Sequence, residues 1–100
     1  MMNPARLLSS RLRVPEGILF QDLQGETVLL NLNTGVYFGL DPVGTRIWQL
    51  IQEQQSLQKV QDCLLEEYDV TRDQGLQDLL ALITQLQEKG LIEVSHAAAP

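Results

Sequence analysis

Residues 29–48 read LLNLNTGVYFGLDPVGTRIW, and this stretch predicts where the sheet of the protein ends and where its helices begin. The glycine-containing connector at residues 33–35 is typical of a short β-hairpin. A further strand is predicted at 36–40, and Asp41 and Pro42 then suit the N-cap and the first position of a helix. The stretch therefore predicts a β half that runs directly into an α half.

The β half is predicted to be a three-stranded antiparallel meander. Strands are expected at 18–23 and 27–32, joined by Gln24-Gly25-Glu26, and the third strand is the one at 36–40. Because side chains alternate between the two faces of a strand, one face of the last two strands should meet the helices. The side chains expected on this core face are Val28, Leu30, Leu32, Val36, Phe38 and Leu40.

Three helices are predicted after the sheet, at about 42–52, 57–68 and 72–89. Ser56 and Thr71 are suitable N-caps for the second and third of them. The apolar stripes of the first two helices contain Val43, Ile47, Leu50 and Ile51, with Trp48 beside them, and then Leu57, Val60, Cys63 and Leu64. The predicted fold class is α+β and winged-helix-like, a three-stranded antiparallel meander followed by a three-helix bundle.

Composition limits the size and the location of the protein. A chain of 100 residues with 44% hydrophobic content is the usual size of one domain with one modest core. We assign residues 12–94 to this domain, residues 1–11 to a flexible N-terminal arm and residues 95–100 to a disordered tail. The sequence contains no signal-peptide-like run and no membrane span, and its single cysteine agrees with a reducing compartment. We expect a cytoplasmic protein without a membrane partner.

Residues that could support catalysis or metal binding are few. Cys63 is predicted on an apolar helix face, where it would act as a small hydrophobe. His96 is the one histidine and lies in the predicted tail, so it cannot build a triad or a metal site. The pair Glu66-Glu67 is most simply a solvated face, and a patch for a partner enzyme is the alternative. We expect no enzyme activity, no catalytic residues, no cofactor and no metal.

The winged-helix-like layout raises DNA binding as an alternative function. The formal net charge of −6, however, repels phosphate backbones. The predicted third helix has no Lys or Arg between Asp73 and Glu88, so it lacks the side chains that contact phosphate. We therefore expect no nucleic-acid partner, and a winged-helix transcriptional regulator is the weaker alternative.

The strand at 36–40 is the last of the meander, and none of its residues is charged. Lys or Pro usually protects such an edge, whereas Gly39 allows another backbone to come close. These features suit the addition of an extended peptide as a further strand. Two other interpretations explain this edge equally well. The C-terminal segment Leu91–Val94 could cover it, or a second copy of the protein could pair with it in an oligomeric scaffold.

The third helix carries a broad apolar arc formed by Leu76, Leu79, Leu80, Leu82, Ile83 and Leu86. This arc is wider than the stripe of about 100° that one packing contact needs. The simpler interpretation is a central core helix that touches both other helices and the sheet. A further interpretation, compatible with the first, is that part of the arc lines an open groove beside the sheet.

Three segments together resemble the PqqD-like family of peptide chaperones, also called RiPP recognition elements. They are the stretch at 29–48, Glu66-Glu67-Tyr68-Asp69-Val70, and QLQEKGLI at 85–92, and the resemblance covers about residues 12–94. The sequence looks more like the stand-alone members of lasso-peptide and other radical-SAM peptide clusters than like the pyrroloquinoline quinone protein, whose strand region tends to be richer in Pro and Glu. Family members have three strands and three helices, and they bind the leader of a ribosomally synthesised precursor peptide as an extra strand against the third helix.

The resemblance implies a non-catalytic peptide chaperone that binds a leader by β-strand addition at 36–40. The chaperone would deliver the precursor peptide to a separate modifying enzyme, such as a radical-SAM enzyme, or to a leader peptidase. The residues implied in the peptide-binding site are Val36, Tyr37, Phe38 and Gly39, with Leu76, Leu79, Leu80 and Ile83 opposite them.

Overall fold

The computed structural model describes residues 10–96. Its elements are β1 (Ser10–Arg13), β2 (Ile18–Leu23), β3 (Glu26–Asn31), β4 (Val36–Leu40), α1 (Pro42–Gln54), α2 (Leu57–Glu67), α3 (Arg72–Glu88) and β5 (Glu93–His96). Strands β2, β3 and β4 form an antiparallel sheet in that order, and β1 pairs with β5 in a separate two-stranded sheet. The predicted α+β fold, a meander followed by three helices, is confirmed.

Short-range signals set the turn between β2 and β3 and the starts of the helices. Gln24 and Gly25 both have positive φ, 57° and 86°, which is the type I′ geometry that matches the twist of the strands. Each helix begins after the N-cap that the sequence predicts. The capping oxygens accept hydrogen bonds from first-turn amides, Asp41 from Gly44 at 2.7 Å, Ser56 from Lys59 at 3.3 Å and Thr71 from Gln74 at 3.1 Å.

The core lies between one face of the three-stranded sheet and the helices. Its largest fully buried side chain is Trp48 of α1, whose ring meets Phe20 of β2 edge-on with 5.8 Å between the centroids. The other buried apolar side chains are Leu12, Leu29, Leu40, Ile47, Leu50, Ile51, Leu57, Val60, Leu64, Leu79, Ile83, Leu86, Leu91 and Ile92. Val43, which we predicted in the core stripe of α1, is instead 45% exposed, because it borders an open groove.

Strand β3 presents to the helices the face opposite to the predicted one. Leu29 is 0% exposed, whereas Val28 and Leu32 are 38% and 57% exposed. Leu29 pairs with Phe38, so it shares the core face of β4, which is the face we predicted for that strand. The prediction that Val28, Leu30 and Leu32 face the helices is therefore wrong. Because β3 is apolar at three consecutive positions, its alternation pattern alone could not choose between the two faces.

The two-stranded sheet lies at the ends of the described chain. We predicted a short final strand at 91–94, and the structure places it at Glu93–His96, antiparallel to β1. Residues 10–11, predicted as part of the arm, and residues 95–96, predicted as part of the tail, thus belong to paired strands. The rest of the predicted arm and tail, residues 1–9 and 97–100, lies outside the described residues.

Arg46 of α1 and Glu67 at the end of α2 form an ion pair with two hydrogen bonds. The guanidinium Nε donates to Oε1 at 2.7 Å and Nη2 donates to Oε2 at 2.8 Å. The hydrogen bond from Arg46 lowers the pKa of Glu67 below its usual value of 4.5. Of the two adjacent glutamates that we interpreted as a solvated face, Glu67 is therefore bound to the neighbouring helix.

Replacing Glu67 with Gln should lower the free energy of unfolding by about 0.2–1 kcal/mol near neutral pH, since both partners are about a third exposed and water screens the pair. A carboxyl whose pKa is lowered in the folded state stabilises that state above its unfolded pKa, and the contribution disappears as the pH falls through the folded value. The difference between wild type and Glu67→Gln should thus persist down to about pH 4.5 and vanish below the folded pKa.

Urea unfolding near neutral pH and in acid measures this difference. The exposed neighbour provides a matched control, because Glu66→Gln removes one negative charge from the same helix end. An equal loss of stability for Glu67→Gln in acid and at neutral pH would show that the ion pair is not its cause.

Candidate functional site

Within residues 10–96, no three His, Cys, Asp or Glu side chains lie close enough together to hold a metal ion. In the same part of the chain, none of the helices combines the length and the apolar character needed to cross a membrane. Cys63 is a free thiol that is partly buried against the core. What this part of the chain does offer is an unpaired strand edge beside a groove.

Strand β4 pairs with β3 on one side, and within residues 10–96 no strand lies on its other side. The C-terminal segment, which we considered as a covering for this edge, pairs with β1 instead. That alternative is therefore excluded. The free edge of β4 is uncharged along its whole length.

The register of the sheet determines which backbone groups of β4 point outward. Leu23 and Glu26 flank the two-residue turn, and a β-turn is closed by a hydrogen bond between its first and fourth residues. Because bonding direction alternates along an antiparallel strand, the even-numbered residues of β3 bond to β2 and the odd-numbered ones to β4. Their partners are the even-numbered residues of β4. The N–H and C=O groups of Tyr37 and Gly39 are left facing the free edge.

The side chains of the same strand also divide between two faces. Phe38 is half-buried and Leu40 buried on the helix side, whereas Tyr37 on the other side is 68% exposed. A Cβ atom added to Gly39 would meet no other atom within 4 Å. Packing within the chain therefore does not require glycine at this position.

A groove of about 490 Å³ runs beside the free edge. Strand β4 and helix α3 form its two sides, and the start of α1 lies between them. Its apolar lining consists of Phe38, Leu40, Val43, Ile47 and Leu82, and its polar side chains are Asp41, Asp78 and Gln85. An extended segment placed here would find backbone partners on β4 and apolar contacts next to them.

The structure divides the predicted helix residues of the site. Leu79 and Ile83 are buried in the core, with 0% and 5% of their surface exposed. Leu76 and Leu80 are half-buried on α3 and do not line the groove. The α3 residues that do line it are Asp78, Leu82 and Gln85. They follow the helical spacing i, i+4, i+7 and so form one stripe beside the core stripe.

The predicted strand residues lie where β4 borders the groove. Phe38 and Gly39 line it, and Val36 is half-buried at the start of the strand. Tyr37 reaches the edge through its backbone, while its side chain lies on the face away from the helices. Sequence reasoning missed Asp41 and Val43, because we assigned them to a cap and to the core. Their position directly after an edge strand is the signal that could have identified them.

A second hollow, of about 570 Å³, lies between β1 and the start of α2. Arg11, Arg13 and Lys59 contribute to its lining, and its single apolar residue, Leu12, is itself only 1% exposed. This hollow is larger, but polar and charged residues make up nearly all of its lining. The groove beside β4 is therefore the stronger candidate for binding a peptide chain.

Fold and site together define a small winged-helix-like domain whose sheet has an open edge beside a groove. The chain belongs to the PqqD family, since the family model described as "Coenzyme PQQ synthesis protein D (PqqD)" matches residues 26–92. This confirms the resemblance that three sequence segments indicate. None of the curated proteins matches the sequence.

Two solved structures are similar to this chain. TbiB1 in complex with the TbiA(beta) leader peptide is 36% identical, with a TM-score of 0.78, and the match covers 86% of this chain and 99% of that chain. Lasso peptide synthetase B1 complexed with the leader peptide is 29% identical, with a TM-score of 0.74, and the match covers 83% and 98% of the two chains. The similarity thus extends over nearly the whole of both solved chains.

Proposed function

We propose that this protein is a peptide chaperone that binds the leader of a ribosomally synthesised precursor peptide as a further strand on β4. The observation that carries the proposal is the edge of β4 that no strand within residues 10–96 covers, where the backbone groups of Tyr37 and Gly39 face outward beside an apolar groove. Strand addition obtains affinity from main-chain hydrogen bonds and specificity from side-chain pockets. The leader peptides in the two similar structures support this assignment.

The proposed contacts divide between β4 and α3. Tyr37 and Gly39 bind the peptide backbone, Phe38 and Leu82 contact its side chains, and Val36 contacts the end of the added strand. Four of the buried and half-buried residues of α3 hold the groove wall in place from behind. They are Leu76, Leu79, Leu80 and Ile83, which the resemblance implies as direct contacts.

The proposed mechanism is delivery without catalysis. A bound leader tethers the rest of the precursor peptide to the domain, and a modifying enzyme or leader peptidase that also contacts the domain then meets that peptide at a raised effective concentration. The domain itself supplies no reacting group and no cofactor. We place this exchange in the cytoplasm, where the precursor peptide is made.

Titration of the fluorescently labelled leader encoded by a neighbouring small open reading frame tests the proposal. We expect saturable binding with one peptide per protein, measured by fluorescence anisotropy. A parallel titration with duplex DNA at several salt concentrations tests the regulator alternative, for which binding should weaken steeply as salt rises.

Sedimentation of the protein with and without the leader tests the oligomeric alternative. A monomer that stays monomeric on binding agrees with the proposal. A dimer that the leader dissociates would show that a second copy occupies the same edge when the leader is absent. Salt-dependent DNA binding without peptide binding would contradict the proposal.

A further inference from the structure

The groove beside β4 has acidic groups at one end. Asp41 directly follows the last residue of β4, and Asp78 of α3 lines the same groove. Both residues are exposed. Asp41 uses Oδ1 to cap α1, and Asp78 Oδ1 accepts a hydrogen bond from Gln74 Nε2 at 2.9 Å. Neither interaction supplies a positive charge, so this end of the groove remains anionic.

A cation lies next to Phe38, a residue that lines the groove, although the cation itself is outside the lining. Nζ of Lys89 lies 5.7 Å from the centre of the Phe38 ring. The carbonyl of Lys89 accepts a hydrogen bond from Asn31 Nδ2 at 3.1 Å, and Asn31 pairs with Val36 at the start of β4. Lys89 therefore lies beside the first half of β4, at the end away from Asp41.

These end charges are not neutralised by the ion pairs found within residues 10–96. Those pairs join Arg13 to Glu93 and Arg46 to Glu67, and none of the four residues lines the groove. Between the two ends the lining is mainly apolar. The groove and the lysine beside it thus present an order of charge along β4, with the cation nearer the start of the strand and the carboxylates where it ends.

We infer that the peptide bound here carries a basic side chain beside Asp41 and Asp78, an apolar side chain in the middle, and an acidic side chain beside Lys89. This inference rests on the proposed function and adds the charge order of the ligand. Side chains on one face of a strand are two residues apart, so the three positions follow the spacing i, i+2, i+4.

The direction of the peptide determines how this charge order reads along its sequence. All strand pairs of the β2–β4 sheet are antiparallel, and an antiparallel neighbour is slightly more stable per residue than a parallel one. An antiparallel peptide meets the end of β4 first. Its sequence therefore reads basic, apolar, acidic from the N-terminus to the C-terminus, as in Lys-x-Leu-x-Glu.

Two synthetic peptides of identical composition test the inference. Both have acetylated and amidated ends and the same Val and Thr flanks; one contains Lys-x-Leu-x-Glu and the other Glu-x-Leu-x-Lys. Because reversal turns two exposed attractions into two repulsions, we expect the first peptide to bind about fivefold to tenfold more tightly at low salt. The preference should largely disappear near 1 M salt, where charges are screened over about 3 Å.

Variants that remove one charge show how much each end of the peptide site contributes to the preference for Lys-x-Leu-x-Glu. Asp78→Asn and Lys89→Gln should each reduce it, and the double variant should retain only the part of the preference that Asp41 supplies. Asp62→Asn is a matched control on α2, since Asp62 accepts the same type of hydrogen bond from a glutamine four residues before it and lies outside the groove. Asp41 is left unchanged because it caps α1.

The outcomes separate this inference from the proposed function. Equal affinities for the two peptides at low salt would overturn the charge order and leave strand addition in place. Tighter binding of Glu-x-Leu-x-Lys would overturn the antiparallel direction. A failure of both peptides to bind, together with a failure of the encoded leader, would contradict the proposed function itself, whereas binding of the leader alone would overturn only the inferred charge order.

Discussion

Gly39→Pro is expected to weaken leader binding by about fivefold to a hundredfold while the protein remains folded. The N–H of Gly39 faces the free edge, so proline at this position removes no hydrogen bond to β3. It does remove a donor that an added strand requires, and its ring occupies the space beside the edge. A carbonyl left unpaired on burial costs about 1–3 kcal/mol, and about 1.4 kcal/mol is a tenfold change in Kd.

Two further variants serve as controls for the position and the type of this substitution. Gly39→Ala keeps the N–H, and its Cβ would meet no atom within 4 Å, so it should bind the leader nearly as the wild type does. Phe38→Pro loses an N–H that bonds to β3 and should destabilise the sheet. Anisotropy titrations measure binding, and thermal unfolding followed by circular dichroism shows which variants are folded.

Wild-type affinity in a folded Gly39→Pro protein would show that the leader does not add to β4. Loss of binding in both Gly39→Pro and Gly39→Ala would point instead to a close approach of the peptide backbone at this residue. Comparing Gly39→Pro with Gly39→Ala therefore distinguishes the loss of a hydrogen-bond donor from steric exclusion of the peptide backbone.

Leu29→Ala is expected to lower the free energy of unfolding by about 2–5 kcal/mol, the usual cost of a large cavity in a core. Leu29 is 0% exposed and lies on the middle strand of the sheet, facing the helices. A domain of this size has a total stability of roughly 5–15 kcal/mol, so the variant loses a substantial part of it. Urea unfolding monitored by Trp48 fluorescence measures the change.

Leu32→Ala is the matched control for this prediction. It removes the same atoms from a residue that we predicted in the core and that the structure places 57% exposed. Exposed substitutions of this kind usually change stability by less than about 0.5 kcal/mol. If Leu32→Ala lowered the free energy of unfolding more than Leu29→Ala, the predicted core face of β3 would be correct and the observed register would be contradicted.

Much of the candidate site follows from local signals. Asp41 and Pro42 mark the passage from strand to helix, and a glycine-containing connector before Val36 marks the start of the last strand. An edge strand without charge is visible in the sequence, as is its continuity with α1. These features extend over a few residues, so the amino acids themselves carry the information.

The groove wall on α3 could not be predicted in the same way. Apolar residues occupy a broad arc of this helix, and any part of the arc could face the core. The rotation of α3 against the sheet buries Leu79 and Ile83 and turns Asp78, Leu82 and Gln85 to the groove. A prediction based on apolar residues alone therefore selects the core stripe of α3, which lies next to the stripe that lines the groove.

The sequence by itself determined the three-stranded meander and the three helices that follow it, the N-caps at Asp41, Ser56 and Thr71, and the uncharged strand at 36–40. Turns and caps depend on contacts within a few residues, and for this reason they can be predicted from the chain. Only the tertiary structure decided that Leu29 faces the core, that β5 pairs with β1, and that the edge of β4 is thereby left without a covering strand from residues 10–96. These outcomes depend on strand register and on pairing between distant segments, which no short stretch of sequence encodes.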